Sequence, residues 1–379
     1  MKKHIILALA FISSVAVQAE TLKINRDQCR MMAIDASEDV AIARNTAEQA
    51  RLDKKAAVTA YLPRLAGTAS GIYRTPDSDV SGMTLSLKGV YMAGLTVTQP
   101  VYAGGKIVAA NRLAEIGKKA AAEQQRMTRM DVIANADNAY WNYIAVLAKV
   151  DMTRAYLSQI DTVYAQTKTS YEVGMITQTD LVRIDARRSQ IIYQLNQAES
   201  GADLCRLALC NILGVSSDTQ IEPIDKDIPV TQPGNLSADI ANRPELSLLK
   251  ADVMAKEQQV KITRADFLPT LGVQAGWSAY GNIKMKGYAE GPDGSYHPFS
   301  SNTKGNGWLV MASLSVPIFH WGEGIHKVKR AKLEVSNANL TLEKNRRLMN
   351  IEAQQTVNNV LNGYKLIESA NIAMRQAQL

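Results

Sequence analysis

The sequence predicts a mainly α-helical protein with β-strands, in which long coiled-coil hairpins alternate with strand pairs. Three observations support this class. Long stretches carry apolar residues at helical spacing, other regions alternate polar and apolar residues, and the same short motifs occur once in each half of the chain. Together these features indicate an internal duplication in which each copy joins a strand pair to long helices.

The chain begins with the features of a secretory signal. Lys2 and Lys3 precede an apolar run at residues 5–17, and small residues lead up to Ala19. We therefore predict a signal peptide at residues 1–19, cleaved after Ala19. The run is shorter than the roughly 20 apolar residues of a membrane span, although an N-terminal anchor helix is the alternative. No later stretch predicts a transmembrane helix.

Charge and cysteine content exclude other classes. The formal net charge of +7 is spread along the chain, so no nucleic-acid partner is predicted. Cys29, Cys205 and Cys210 are an odd set and so not a disulfide framework for an exported protein; we expect small buried residues. No residue pattern predicts a cofactor.

Two pairs of motifs mark the duplication. The segment around Pro63 (YLPRL) returns around Pro269 (FLPTL), 206 residues later, and each copy precedes alternating residues. The segment from Pro100 to Gly105 (PVYAGG) returns as PIFHWG, with Pro317 217 residues after Pro100, and each copy precedes a long helix. The equivalent glycine is Gly322. A period this long indicates a duplicated half and not a solenoid repeat.

Strand predictions follow from alternation with a period of two. In the first half one parity is apolar and the other carries Lys88, Thr96 and Thr98; the second half alternates in the same way. The apolar faces could meet lipid and the polar faces a water-filled lumen, although an amphipathic sheet of a soluble protein has the same pattern. Polar loops are predicted at residues 74–79 and 288–295. The apolar sets are Leu85, Leu87, Tyr91, Leu95 and Val97; Leu271, Val273, Ala275 and Trp277; and Trp308, Val310, Ala312, Leu314 and Val316.

Helix predictions rest on length and on a regular seam. A continuous helix from Lys106 to about Tyr171 would be about 100 Å long, and a second is predicted from Asp180 to Leu213. The second has an apolar seam with steps of three and four residues, interrupted only by Arg188, which is typical of coiled-coil packing. A soluble helical hairpin is the alternative. The seam consists of Leu181, Ile184, Ile191, Leu195, Ala198, Ala202, Cys205, Leu209 and Ile212.

A tight turn is predicted between these two helices. Gly174 suits the left-handed conformation that ends a helix. Thr177 is a suitable cap for the next helix, with Asp180 three residues later. Met175 and Ile176 should then be exposed at the tip, where apolar residues favour a partner, although they could also fold back between the helices.

These motifs, together with Asn242-Arg243-Pro244-Glu245-Leu246, resemble the TolC family of outer-membrane factors over nearly the whole mature chain. The resemblance implies a homotrimer in the outer membrane, in which each chain gives four strands to a twelve-stranded barrel and its helices build a periplasmic tunnel. It also implies docking to a periplasmic adaptor protein and an inner-membrane pump. The adaptor-binding residues would be Val173, Gly174, Met175, Ile176, Thr177, Gln178, Thr179 and Asp180.

The predicted organisation along the chain has four parts. After the signal peptide come a first repeat at 20–213, with strand pair 65–100 and hairpin 106–213, an equatorial linker at 214–244 and a second repeat at 245–379, with strand pair 270–319. Residues 24–35 would join the linker in a belt around the tunnel. Only 57 residues follow Gly322, too few to reach the counterpart of the first turn. We therefore expect a truncated second hairpin, for which no gating residue is assigned.

Two other classes compete with a duct. An enzyme could use His320, His326 and Glu323 as metal ligands, but their spacing across a strand-to-helix junction is not a usual ligand spacing. A secreted coiled-coil adhesin or scaffold would explain the signal and the seam, but it would not need duplicated strand pairs. The sequence therefore favours a passive duct that is not an enzyme.

Overall fold

The computed structural model describes residues 21–80, 83–225, 230–290, 292 and 294–378, so the predicted signal peptide lies outside the described residues. Within them, the helices are α1 (Arg26–Ala36), α2 (Glu38–Thr59), α3 (Lys106–Glu172), α4 (Gln178–Leu213), α5 (Pro244–Ala265) and α6 (Glu323–Gln378). The strands are β1 (Thr21–Ile24), β2 (Arg64–Tyr73), β3 (Ser78–Val80), β4 (Met83–Ser86), β5 (Lys88–Ala103), β6 (Gln220–Pro223), β7 (Thr270–Glu290) and β8 (Tyr296–Ser315).

The chain forms two compact units that each draw on both halves of the sequence. Of the described residues, the first unit contains those up to Asn45, those between Gln125 and Leu236, and those from Val360 onward. The second contains Thr46–Gln124 and Ser237–Asn359.

In the first unit, a small parallel ladder and three helices enclose a core. Strand β1 pairs with β6, and α1 starts at Asn25, whose side chain accepts a hydrogen bond from the backbone N–H of Gln28 in a capping box. All three cysteines are free, with Cys29 and Cys210 buried as expected and Cys205 half-buried. The core consists of Ile24, Cys29, Ala33, Ala136, Tyr140, Tyr143, Leu209, Cys210, Leu213 and Ile221.

Helices α3 and α4 pack as an antiparallel pair in this unit, and the predicted seam is confirmed. Each of its apolar residues is buried or half-buried. Near its middle, Val150 packs with Ala198 and Ala202, whose small side chains allow the helices to approach closely. The charged position is also accounted for, because the guanidinium Nε of Arg188 donates to Asp161 at 2.6 Å across the pair.

The second unit holds an antiparallel sheet in which β2, β5, β7 and β8 lie side by side, with β4 and β3 beside the far end of β7. Cross-strand partners share a face. Leu95 lies opposite Trp277, and Trp277 lies opposite Trp308. Small residues allow close contact at the centre of the sheet, where a Cβ at Gly276 would lie 2.9 Å from the carbonyl oxygen of Leu95. Within the described residues, β2 and β8 are the long edge strands, and the short β3 is a third edge strand beside β4.

Two sequence-based details of the sheet are wrong. The loop predicted at residues 74–79 contains the start of β3, and the first hairpin continues through β3 and β4. The loop predicted at 288–295 is shorter, because β7 extends to Glu290.

The predicted parity also fails at one end of the sheet. Leu85 pairs with Met285, on the same face as Met92 and opposite to Leu95. Bulges near Gly89 and Asn282 cause this change, because an extra residue in a strand reverses which side chains point to each face. Leu87 lies between β4 and β5 and in neither strand.

Candidate docking turn and membrane-facing sheet

The turn between α3 and α4 has the predicted backbone. Gly174 has a φ of 76°, and its N–H donates to the carbonyl oxygen of Tyr171 at 2.9 Å. The N–H of Met175 donates to the carbonyl of Ser170, also at 2.9 Å. These two bonds satisfy carbonyls at the end of α3 that the helix itself leaves free.

Thr177 and Asp180 form the predicted cap of α4. The Thr177 hydroxyl donates to the Asp180 carboxylate at 2.6 Å and accepts from the Asp180 N–H at 3.4 Å. The Thr177 N–H also donates to that carboxylate, at 3.3 Å, which completes a capping box. Hydrogen bonds from the Thr177 hydroxyl and then from its backbone lower the pKa of Asp180. The carboxylate therefore stays ionised beside the positive end of the helix.

The exposed apolar residues at this turn differ in part from the prediction. Met175 is 79% exposed, as expected, but Ile176 is half-buried. Val173, which follows the last residue of α3 and belongs to the predicted adaptor-binding set, is 64% exposed. Gln178 and Thr179 are exposed, and Asp180 is half-buried. The turn thus presents Val173 and Met175 to solvent on a backbone fixed by hydrogen bonds.

The prolines that precede the strand pairs have equivalent positions in the two halves. The prolines that precede the long helices do not. Pro63 immediately precedes β2, and Pro269 immediately precedes β7. Pro100 lies inside β5 at a bulge, but Pro317 lies beyond the end of β8. The reason is the neighbouring strand: β7 pairs with β5 as far as Ala103, while the segment after Ser315 has no strand beside it in the described chain.

The junctions that lead from β5 into α3 and from β8 into α6 share a left-handed backbone. Gly104 and Gly105 have φ values of 59° and 82°, and the equivalent Trp321 and Gly322 have 47° and 81°. Gly104 needs to be glycine, because a Cβ there would lie 2.8 Å from the carbonyl oxygen of Ala265. Trp321 instead projects its side chain outward and is 89% exposed.

One face of the sheet is apolar and exposed. Trp308 is 82% exposed, and Val310, Leu314, Leu65 and Leu95 are exposed on the same face. The opposite face is concave, with a groove of about 240 Å³. Polar side chains of Thr68, Ser70, Thr96, Gln274 and Ser278 line this groove, together with Met92, Tyr280 and Leu309. An exposed apolar face of this extent indicates contact with lipid or with another protein.

Two of the three residues considered as metal ligands, His320 and Glu323, make other contacts. The His320 ring packs edge-on against Phe267, with 6.2 Å between ring centroids. The Glu323 carboxylate lies 2.5 Å from the ammonium group of Lys327, which lowers the pKa of that carboxyl.

No helix in the described ranges combines the length and apolarity required to cross a membrane.

A family model described as outer membrane efflux protein matches residues 29–215 and 235–378. The chain belongs to this family. The resemblance inferred from the motifs is therefore confirmed, and membership of the family places the protein in the outer membrane.

Known relatives share the sequence pattern and the fold. Outer membrane protein TolC of Escherichia coli is 25% identical over 324 residues, which cover 80% of this chain and 62% of TolC. The solvent efflux pump outer membrane protein SrpC of Pseudomonas putida is 24% identical over 323 residues, which cover 82% of this chain and 65% of SrpC. The chain thus spans less than two-thirds of both relatives. The crystal structure of outer membrane protein VceC from Vibrio cholerae matches with a TM-score of 0.70 at 18% identity, covering 93% of this chain and 82% of VceC.

Proposed function

We propose that this outer membrane efflux family member is a passive exit duct of a tripartite efflux or secretion system and performs no chemistry itself. The observation that carries this proposal is the exposed apolar face of the sheet, from Leu65 to Trp308, with a concave face behind it that carries polar side chains such as Thr68 and Gln274. A membrane-inserted wall around a watery lumen has this arrangement. Cell fractionation tests it: the protein should be found in the outer membrane and need detergent for extraction, whereas a freely soluble monomer would contradict the proposal.

We further propose a homotrimer with a shared twelve-stranded barrel. Four long strands cannot close a barrel alone, and an open sheet edge in lipid leaves unpaired backbone N–H and C=O groups. Pairing β8 of one copy with β2 of the next removes both long edges, and rotational symmetry allows the contact to repeat until the ring closes. The exposed segment after Ser315 would then gain the strand neighbour that β5 has in β7.

The internal duplication predicts the register of that contact. Inside the chain, Thr98 lies opposite Gln274. The marker prolines relate Thr98 to Ser315 and Gln274 to Thr68, so Ser315 should lie opposite Thr68 of a second copy. Both side chains belong to the concave face, which makes the register consistent with the pleat.

Cysteine cross-linking tests this register. The variant Thr68→Cys with Ser315→Cys should form disulfide-linked trimers on oxidation, because directly opposed strand residues have suitable Cα separations. The matched control, Ser70→Cys with Ser315→Cys, moves one partner two residues along the same face and should cross-link poorly. Both are made with Cys205→Ala, since that native thiol is only half-buried. Equal cross-linking in the two variants would contradict the register.

For the turn from Val173 to Asp180, we propose docking to a periplasmic adaptor that is itself bound to an inner-membrane pump. Met175→Glu should weaken adaptor cross-linking and export without loss of folded protein, because it places a charge on an exposed apolar tip. Met152→Glu is the matched control, since Met152 is an exposed methionine on the side of α3. Wild-type adaptor contact in the Met175 variant would count against this role.

A further inference from the structure

Three lysines lie together on the apolar side of the sheet, beyond the end of its apolar band. On β8 one face carries Leu314, Ala312, Val310 and Trp308, followed by Asn306 and then Lys304. On β7 the same face carries Lys284 and Lys286, opposite Asn302 and Ser300. All three lysine side chains are exposed.

A bulge in β7 is what turns these lysines to that face. Before the bulge, odd-numbered residues such as Trp277 point to the apolar side; after it, even-numbered residues do. Asn282, with a φ of 65°, is the inserted residue, and its side-chain amide donates to the carbonyls of Lys88 and Gly89 at 3.0 Å each. Without the extra residue, Lys284 and Lys286 would point to the concave side.

The three ammonium groups reinforce one another's positive potential. Lys284 and Lys286 are two residues apart on one strand, and Lys304 is a diagonal neighbour of Lys284, so the side chains start about 7–8 Å apart. Within the described chain, none of the three forms an ion pair. Asp77 forms its ion pair with the ammonium group of Lys88 at 3.2 Å, although the charge of Lys286 also helps to lower the pKa of that carboxyl. The Asp79 carboxylate accepts a hydrogen bond from the Thr84 hydroxyl at 3.0 Å.

We propose that Lys284, Lys286 and Lys304 bind the phosphate groups of a phosphorylated membrane lipid whose acyl chains lie along the apolar band below them. The inference rests on the proposed function, because it requires that band to be in the membrane. The patch lies at the strand ends that are remote from the helix junctions, so the lipid belongs to the outward leaflet. Lysine suits this ligand, since its ammonium group is a mobile point charge for phosphate oxygens.

The test is lipid binding measured by native mass spectrometry in a neutral detergent, with bisphosphorylated lipid A as the probe. Wild-type protein should retain the lipid, and the variant K284Q/K286Q/K304Q should bind it about a hundredfold more weakly. The monophosphorylated form should bind less tightly than the bisphosphorylated form, and added salt should weaken wild-type binding.

A control variant removes the same charge elsewhere. K329Q/K332Q/K344Q, on exposed positions of α6, should retain wild-type lipid binding. Equal binding by the sheet variant, or an equal loss in the control variant, would overturn the proposal. Membrane fractionation and Thr68–Ser315 cross-linking of the same variants distinguish failure of the lipid site from failure of the proposed duct. If the sheet variant still forms membrane-inserted trimers and its lipid binding is unaltered, only the lipid site is rejected.

Discussion

At the scale of single residues, Tyr140 links three segments of the first unit. Its side chain is fully buried, and its hydroxyl lies 3.1 Å from both the Ile24 carbonyl oxygen and the Asp225 carboxylate. Burial raises the pKa of Tyr140 to about 12, so the hydroxyl remains a proton donor at physiological pH. It therefore holds β1 and the segment after β6 against α3.

Tyr140→Phe should destabilise the protein by about 1–3 kcal/mol, because the buried Ile24 carbonyl and the half-buried Asp225 carboxylate lose their shared donor. Thermal unfolding in detergent measures the change. Tyr193→Phe is the control: this tyrosine is largely exposed and should change stability by less than about 0.5 kcal/mol. Similar shifts in both variants would contradict the linking role.

Residue-level sequence reasoning succeeded where the chemistry is local. Gly174, Thr177 and Asp180 form a turn and a cap within seven residues, so their identities were enough to predict the geometry. The sequence left open whether Ile176 is exposed or folds back, because packing of the surrounding structure decides its partial burial. The left-handed backbone of Trp321 was not predicted, because no glycine marks it.

At the scale of elements, the α4 seam provides a comparison within one helix. Leu209 is fully buried in the core, whereas Leu204 is 67% exposed on the same helix. Leu209→Ala should cost about 2–5 kcal/mol through lost burial and a residual cavity, and Leu204→Ala less than about 0.5 kcal/mol. Denaturant unfolding of the two variants measures the difference, and equal effects would show that α4 is not packed along this seam.

Among the elements, helices were easier to predict than strands. A seam repeats over many turns, so one charged position such as Arg188 does not obscure it. Strand faces depend on every residue being in register, and bulges near Gly89 and Asn282 depend on bonds to other strands. Alternation alone could not reveal that Leu85 and Leu95 lie on opposite faces.

At the scale of the whole molecule, the two faces of the sheet determine how the protein meets its surroundings. The order of the motifs predicted the family to which the chain belongs, although its relative TolC is only 25% identical. The contact between copies could not be predicted directly from the sequence, because it joins edge strands that belong to two different chains. The proposal that the apolar face of the sheet contacts lipid nevertheless makes a prediction that single substitutions can test.

Val310→Arg should reduce assembly in the outer membrane, because an arginine facing lipid near the bilayer midplane costs about 2–4 kcal/mol. Ser313→Arg, three residues along β8 on the concave face, places the same side chain towards the proposed water-filled lumen and should assemble normally. Quantifying each variant in outer-membrane and aggregated fractions measures the effect. If the Ser313 variant failed and the Val310 variant assembled, the two faces would be reversed, and the apolar face would have to contact protein rather than lipid.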